Sequence, residues 1–119
     1  MKATALLLKA LGDEARLSML WLLMHQAEVC VCDFMEVLGC TQSKASRHLR
    51  TLFHAGLVSH RRAGRWSHYS LKPARDPVAA TILAALRDGL GTRRGAGRLL
   101  GRLTAAKAGK GRTSSSRCD

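Results

Sequence analysis

Residues 39–71 read GCTQSKASRHLRTLFHAGLVSHRRAGRWSHYSL, and a change of period inside this stretch decides the fold. Ala45, Leu49 and Leu52 recur at steps of three and four, which puts them on one face of a helix from Thr41 to about Ala55. Thr41 supplies the hydroxyl expected at an N-cap, and Gly39 and Gly56 bracket the segment. Beyond Gly56, apolar or aromatic residues alternate with polar ones on both sides of Ala63-Gly64, the period of a two-stranded hairpin with a glycine turn. A lone hairpin is marginal in water, so this one must lie against the helices.

Working outward, the spacing predicts a helix from about Val31 to Leu38, stopped by Gly39. A short helix over ATALLLKALG ends at Gly12, and Asp13 caps a second one with apolar Leu17, Leu20, Trp21, Leu23 and Met24. On the other side, Asp76 and Pro77 open a last helix, DPVAATILAALRDGL. Its face of Val78, Ile82, Leu83, Leu86 and Leu90 is wide, and a second subunit is the simplest cover for it. Two short helices joined by LGCT and followed at once by a basic hairpin make a winged helix-turn-helix. The expected fold class is therefore mainly α with a small β-hairpin, assembled as a homodimer.

The charge is segregated along the chain. Of a net +12, residues 37–75 hold eight Lys or Arg and no Asp or Glu, whereas residues 1–36 hold three basic and five acidic residues. A surplus of that size points to a polyanionic partner. From Gly91 the composition shifts to glycine, serine and eight further Lys or Arg, so the expected organisation is a domain over 1–90 and a flexible basic tail over 91–119. No long apolar run suggests a membrane span or an export signal, and the expected location is the cytoplasm. In that reducing compartment free thiols or metal ligands are likelier than disulfides.

The helix over 41–55 presents Ser43, Ser46, Arg47, Arg50 and His54 away from its apolar face. Gln42 and the small hydroxyls suit base edges in a major groove, and Lys44, Arg47 and Arg50 suit phosphates. Scattered charge alone usually means a solvated face. Here Arg61, Arg62 and Arg65 add charge of the same sign at the hairpin, which fits a turn straddling phosphates beside a groove. A constitutive architectural DNA binder anchored by its basic tail is a rival reading.

The runs LGDEARLSMLWLL, EVCVCDF, LGCTQSKASRHLRTLFHAGLV and RRAGRWSHYSL, covering roughly residues 5–90, resemble the ArsR/SmtB family of metal-responsive repressors. The resemblance implies a homodimer paired through its first and last helices, bound to an inverted-repeat operator in double-stranded DNA and released by a metal or metalloid ion. It places Gln42, Ser43, Lys44, Ser46, Arg47 and His48 in the recognition helix and Arg62, Gly64 and Arg65 at the wing tip.

Cys30 and Cys32 stand at the expected start of the third helix, where the unpaired amides and the positive end of the dipole favour thiolates. Two neighbouring thiolates suit a soft ion, and no histidine is close in sequence to complete a mixed zinc set. As(III) or Sb(III) as inducer, with no permanent cofactor, is the expected chemistry. The similarity supports it, because arsenite-responsive members carry Cys-Val-Cys-Asp here. Where the best-known version has a third cysteine this chain has Met35, so Cys40 and Cys118 are candidates for a third sulfur, alongside a small ligand completing a two-sulfur site. Other readings are Cd(II) or Pb(II), thiol oxidation through a strained small ring, or mere apolar packing. The zinc site that other members build on the last helix is absent, since residues 76–90 lack histidine. A thiol-based reductase is disfavoured, because neither cysteine has an anion loop or a basic neighbour.

Overall fold

The computed structural model describes residues 1–113, with side chains as far as residue 109. In chain order the elements are α1 (Lys2–Leu11), α2 (Glu14–His25), β1 (Val29–Cys30), α3 (Val31–Leu38), α4 (Gln42–His54), β2 (Val58–Ala63), β3 (Trp66–Leu71), α5 (Pro77–Leu90) and α6 (Ala96–Thr113). The helix starts follow from their caps. Asp13 accepts the amide of Arg16 at 3.1 Å, Thr41 that of Lys44 at 3.2 Å and Asp76 that of Ala79 at 3.3 Å. Such a cap typically contributes about 1 kcal/mol. Gly39 ends α3 in the left-handed region at φ 65°, where a side chain would be strained, and so turns the chain sharply into α4.

The core is aliphatic. Met19, Leu20 and Leu22 of α2, Phe34 of α3 and Leu49 and Leu52 of α4 are fully buried around Leu57. Arg16 ties three helices together: its Nε donates to the carbonyl of Ala10 at 2.6 Å, and its Nη1 lies 3.1 Å from Nδ1 of His48 on α4.

The hairpin has the expected strands, with Ala63 opposite Trp66 and Gly64-Arg65 as the two-residue turn, one residue later than the sequence suggested. Gly64 has φ 62°, as the first central residue of a turn that matches strand twist requires. One strand was not anticipated. Val29–Cys30 pairs antiparallel with β3, giving a sheet ordered β1-β3-β2. A two-residue strand is too short to show an alternation, so only its partner reveals it.

The expectation of a flexible tail from Gly91 is corrected for residues 96–113, which form α6 packed on α2 and α3. Leu103 and Ala106 are buried, and Leu99 and Leu100 are half-buried beside them. Both ends of this contact are fastened. Trp21 Nε1 donates to the carbonyl of Ala96 at 2.9 Å, and Lys107 Nζ donates to the carbonyl of Glu28 at 2.7 Å and to Oε1 of Gln26 at 3.2 Å. The helical spacing of Ala96, Leu99, Leu100, Leu103 and Ala106 was present in the sequence, masked by glycine and arginine between them.

Burying Leu103 makes α6 part of the core, worth about 1.5–3 kcal/mol for a side chain of this size. Leu103→Ala is expected to lower stability by about 2–5 kcal/mol in urea denaturation. A loss below about 0.5 kcal/mol, as for a surface position, would show that α6 is not docked.

Candidate nucleic-acid interface and thiol site

One face of α4 and one face of the hairpin form a continuous concave surface. A cavity of about 400 Å³ is lined by Gln42, Ser46 and Arg50 from α4 and by His60, Arg62, Arg65, Ser67 and Tyr69 from β2, β3 and their turn. An adjoining one of about 330 Å³ is lined by Gln42, Ser43, Ser46, Arg47 and Arg50. Seven of the sequence candidates therefore converge: Gln42, Ser43, Ser46, Arg47, Arg50, Arg62 and Arg65. Gly64 is exposed at the wing tip, where its carbonyl accepts from Nε of Arg62 at 3.2 Å and holds that side chain. Lys44 is exposed on the first turn of α4, outside both cavities.

Two candidates behave differently. His48 points inward to Arg16 and Asp13, with its Nδ1 3.8 Å from the Asp13 carboxylate, rather than onto the concave face. The amide of Arg16 holds the Asp13 carboxyl below its ordinary range, and His48 and the Arg16 side chain act in the same direction against a desolvation that opposes them. Arg61 is committed elsewhere too: Nε and Nη2 grip both oxygens of Glu28 at 2.9 and 2.7 Å.

Strand alternation explains this division. His60, Arg62, Ser67 and Tyr69 share the α4 side of the sheet, and Arg61 and His68 share the other. His60, Ser67 and Tyr69 were missed as part of the concave surface, because a strand in sequence does not say which of its faces meets the helix. His60 Nε2 lies 3.3 Å from the Ser67 hydroxyl, and its ring stacks at 4.9 Å on Tyr69. Burial raises the Tyr69 hydroxyl above its usual pKa, with Arg50 pulling the other way.

On that other side lies the cysteine pair. Cys30 is both the last residue of β1 and the N-cap of α3, and Cys32 follows in the first helical turn. Both are buried, with Trp66 packed against them, and their Sγ atoms are 2.9 Å apart. A metal–sulfur bond is about 2.3 Å, so an ion bonded to both sulfurs at an angle of about 90° or more would hold them about 3.3 Å or more apart, wider than they stand here. A cavity of about 390 Å³ next to them is lined by Gln26, Ala27, Glu28, Cys30, Asp33, His68 and Lys107. Register puts His68 directly opposite Cys30, so a histidine remote in sequence stands beside the pair. Among the described residues no group of three or more His, Cys, Asp or Glu converges as a metal set. Cys40 is half-buried beyond the C-terminal end of α3, whose run from Cys32 to Leu38 alone is a rise of roughly 9 Å, and Cys118 lies outside the described residues. No described helix is long and apolar enough to cross a membrane.

The family description "Bacterial regulatory protein, arsR family" matches residues 13–60. The chain is 44% identical over 77 residues to the arsenical resistance operon repressor of Escherichia coli, covering 65% of this chain and 66% of that one. It is 43% identical over 63 residues to the protein of the same name from Bacillus subtilis, covering 53% and 60%. It spans about half to two thirds of the length of the curated relatives it matches. Among solved structures, HlyU from Vibrio vulnificus superposes with a TM-score of 0.58 at 32% identity, covering 71% of this chain and 84% of that one. NolR from Sinorhizobium fredii gives 0.57 at 28%, covering 77% and 88%.

The Glu28 carboxyl is held below its ordinary value of 4.5, first by the hydrogen bonds from Arg61, then by the charges of Arg61, His68 and Lys107. A depressed carboxylate stabilises the fold above its unfolded pKa, and that contribution is lost as pH falls through the folded value. Glu28→Gln is therefore expected to flatten the fall in urea midpoint between about pH 5 and pH 3, leaving a smaller wild-type advantage at the acid end. Parallel pH profiles for the two proteins would refute the coupling.

Proposed function

Because the chain belongs to the ArsR family of bacterial regulatory proteins, winged helix-turn-helix regulators by fold and by relatives, we propose that it is a transcriptional repressor released from DNA by As(III) or Sb(III) captured at Cys30 and Cys32. The observation that carries the reading is the pair of sulfurs 2.9 Å apart, one on the last residue of β1 in the same sheet as the basic wing and one in the first turn of α3. The concave surface receives the duplex. Gln42, Ser43 and Ser46 meet base edges in the major groove, while Arg47, Arg50, Arg62 and Arg65 meet phosphates on either side. Lys44 adds a further charge at the start of α4, and Gly64 lets the wing tip approach the backbone.

Two copies pair to read an inverted repeat. Support comes from large apolar side chains left open on α1 and α5, with Leu6 48%, Leu8 52% and Val78 49% exposed. Half-sites about one helical turn apart then fix the distance between the two α4 helices, and small tilts spoil the fit.

Release has two mechanical routes. Seating an ion between Cys30 and Cys32 widens the sulfur pair and so moves the first turn of α3, against which α4 packs. It also pulls on β1, whose Cys30 pairs with His68 and through it with Arg61 of the wing. The third position on the ion is filled by a small ligand in the adjoining cavity or by Cys118. A second reading, that cadmium or lead is the inducer, is favoured by a 36% identity over 63 residues to a cadmium resistance regulatory protein CadC homolog of Staphylococcus aureus.

Cys30→Ser and Cys32→Ser are each expected to keep affinity for a selected inverted repeat while losing the ion effect. That effect in the unaltered protein should be a weakening on the order of 10- to 100-fold, as for ordinary coupling energies. Titration of the bound complex with arsenite, antimonite, cadmium and lead decides between the readings, and arsenite release that persists in both variants overturns the assignment. Arg50→Ala is expected to weaken binding to specific and unrelated duplexes alike and to lower the salt slope by about 1 per protomer. Loss confined to the specific duplex would instead make Arg50 a base reader.

A further inference from the structure

A second strongly basic feature lies apart from α4 and the wing. A cleft of about 500 Å³ runs between α2, the end of α3 and α6, with Arg93, Arg94, Arg98 and Arg102 around it and Trp21, Leu38 and Leu99 among its apolar lining. All four arginines are exposed, and among the described residues no carboxylate pairs with any of them. Glu14 is the one acidic residue in the lining.

We propose that this arginine row is an additional contact surface for the sugar-phosphate backbone of duplex DNA just outside the operator half-site. The inference rests on the DNA-binding reading above and extends it to DNA that α4 and the wing do not reach. Arg98 and Arg102 stand four residues apart on α6, a step of about 6 Å along the helix, and Arg93 and Arg94 lie in the turn just before it. A guanidinium presents a planar fork suited to phosphate oxygens, and duplex DNA offers one charge per about 3.4 Å of each strand. Arginine reaches phosphate oxygens without regard to sequence, and the row carries no Asn, Gln or Ser to add contacts of another kind.

Position favours the same partner. Leu38, in the cleft wall, is the last residue of α3, and Gly39 to Thr41 then lead directly into α4. The cleft thus ends at the residue from which the chain turns into α4. The row is also held stiffly, because Trp21 and Lys107 fasten α6 at points on either side of Arg98 and Arg102. A rigid row loses less side-chain and helix entropy on binding than a tail would.

The test uses the full chain and fluorescence anisotropy on two duplexes: the inverted repeat selected from random DNA, and the same repeat with about one helical turn of arbitrary sequence on each side. The unaltered protein should bind the longer duplex about 10-fold or more tightly at low salt, whatever the flanking sequence. The triple variant Arg94→Gln, Arg98→Gln, Arg102→Gln should bind both duplexes alike, at the affinity of the short one. Its salt slope on the long duplex should fall by about 0.9 for each lost phosphate contact. The corresponding triple Lys variant should keep most of the flank effect, which separates lost charge from disturbed packing of α6.

Flanks that help the unaltered and Gln proteins equally, or help neither, overturn the inference while leaving the operator reading intact. So does a Gln variant that loses the short duplex as well. If inorganic pyrophosphate protects the cleft from arginine modification and flanks have no effect, the cleft is a small-anion site and the inference fails. Failure of the unaltered protein to bind any selected duplex overturns the operator reading itself, and this inference with it.

Discussion

The backbone pairing of Val29–Cys30 with β3 is the constraint on which the rest of the molecule turns. It makes one residue, Cys30, serve two elements at once, ending a strand of the wing sheet and capping the helix that packs on α4. Strand and helix are stiff units, so displacement at their junction cannot be absorbed locally. It must appear either as a tilt of α3 against α4 or as a shift of the wing, and both reach the concave basic surface.

Charge is sorted by the same sheet. Alternation sends Arg62 to the α4 face and Arg61 to the opposite one, where Glu28 takes it in a two-pronged ion pair. An arginine that looks like a phosphate contact thereby becomes a brace between the wing and the turn before the thiols. Because Arg61 and Glu28 are substantially exposed, with 57% and 33% of their side-chain surface open, the pair is worth more as a positional constraint than as stability.

The last helix changes how the N-terminal domain is understood. Its apolar stripe closes over α2 and α3, and Lys107 reaches the carbonyl of Glu28, so the wall of the cavity beside Cys30 comes in part from a segment outside the family match. Net charge that looked like a solvated tail is, through residue 102, displayed on an ordered surface. The shared helix-turn-helix is thus flanked from both sides, by a sulfur pair at one end of α3 and by arginines at the other.

Much of this was legible in the sequence because it depends on local physics. Period, caps and turn glycines are properties of neighbouring residues, and they placed α1 to α5, the hairpin, the basic face of α4 and the cysteine pair at the start of α3. Resemblance to a family added the expectation of a wing and a recognition helix. What stayed hidden depends on residues distant in the chain. Strand register decided that His68 lies opposite Cys30, that Arg61 faces Glu28 and that His60, Ser67 and Tyr69 join α4 in one surface. Tertiary contact decided that His48 turns to Arg16, and that a glycine-rich basic stretch folds at all, since Leu103 gains its stability from α2 and α3 and not from its own helix.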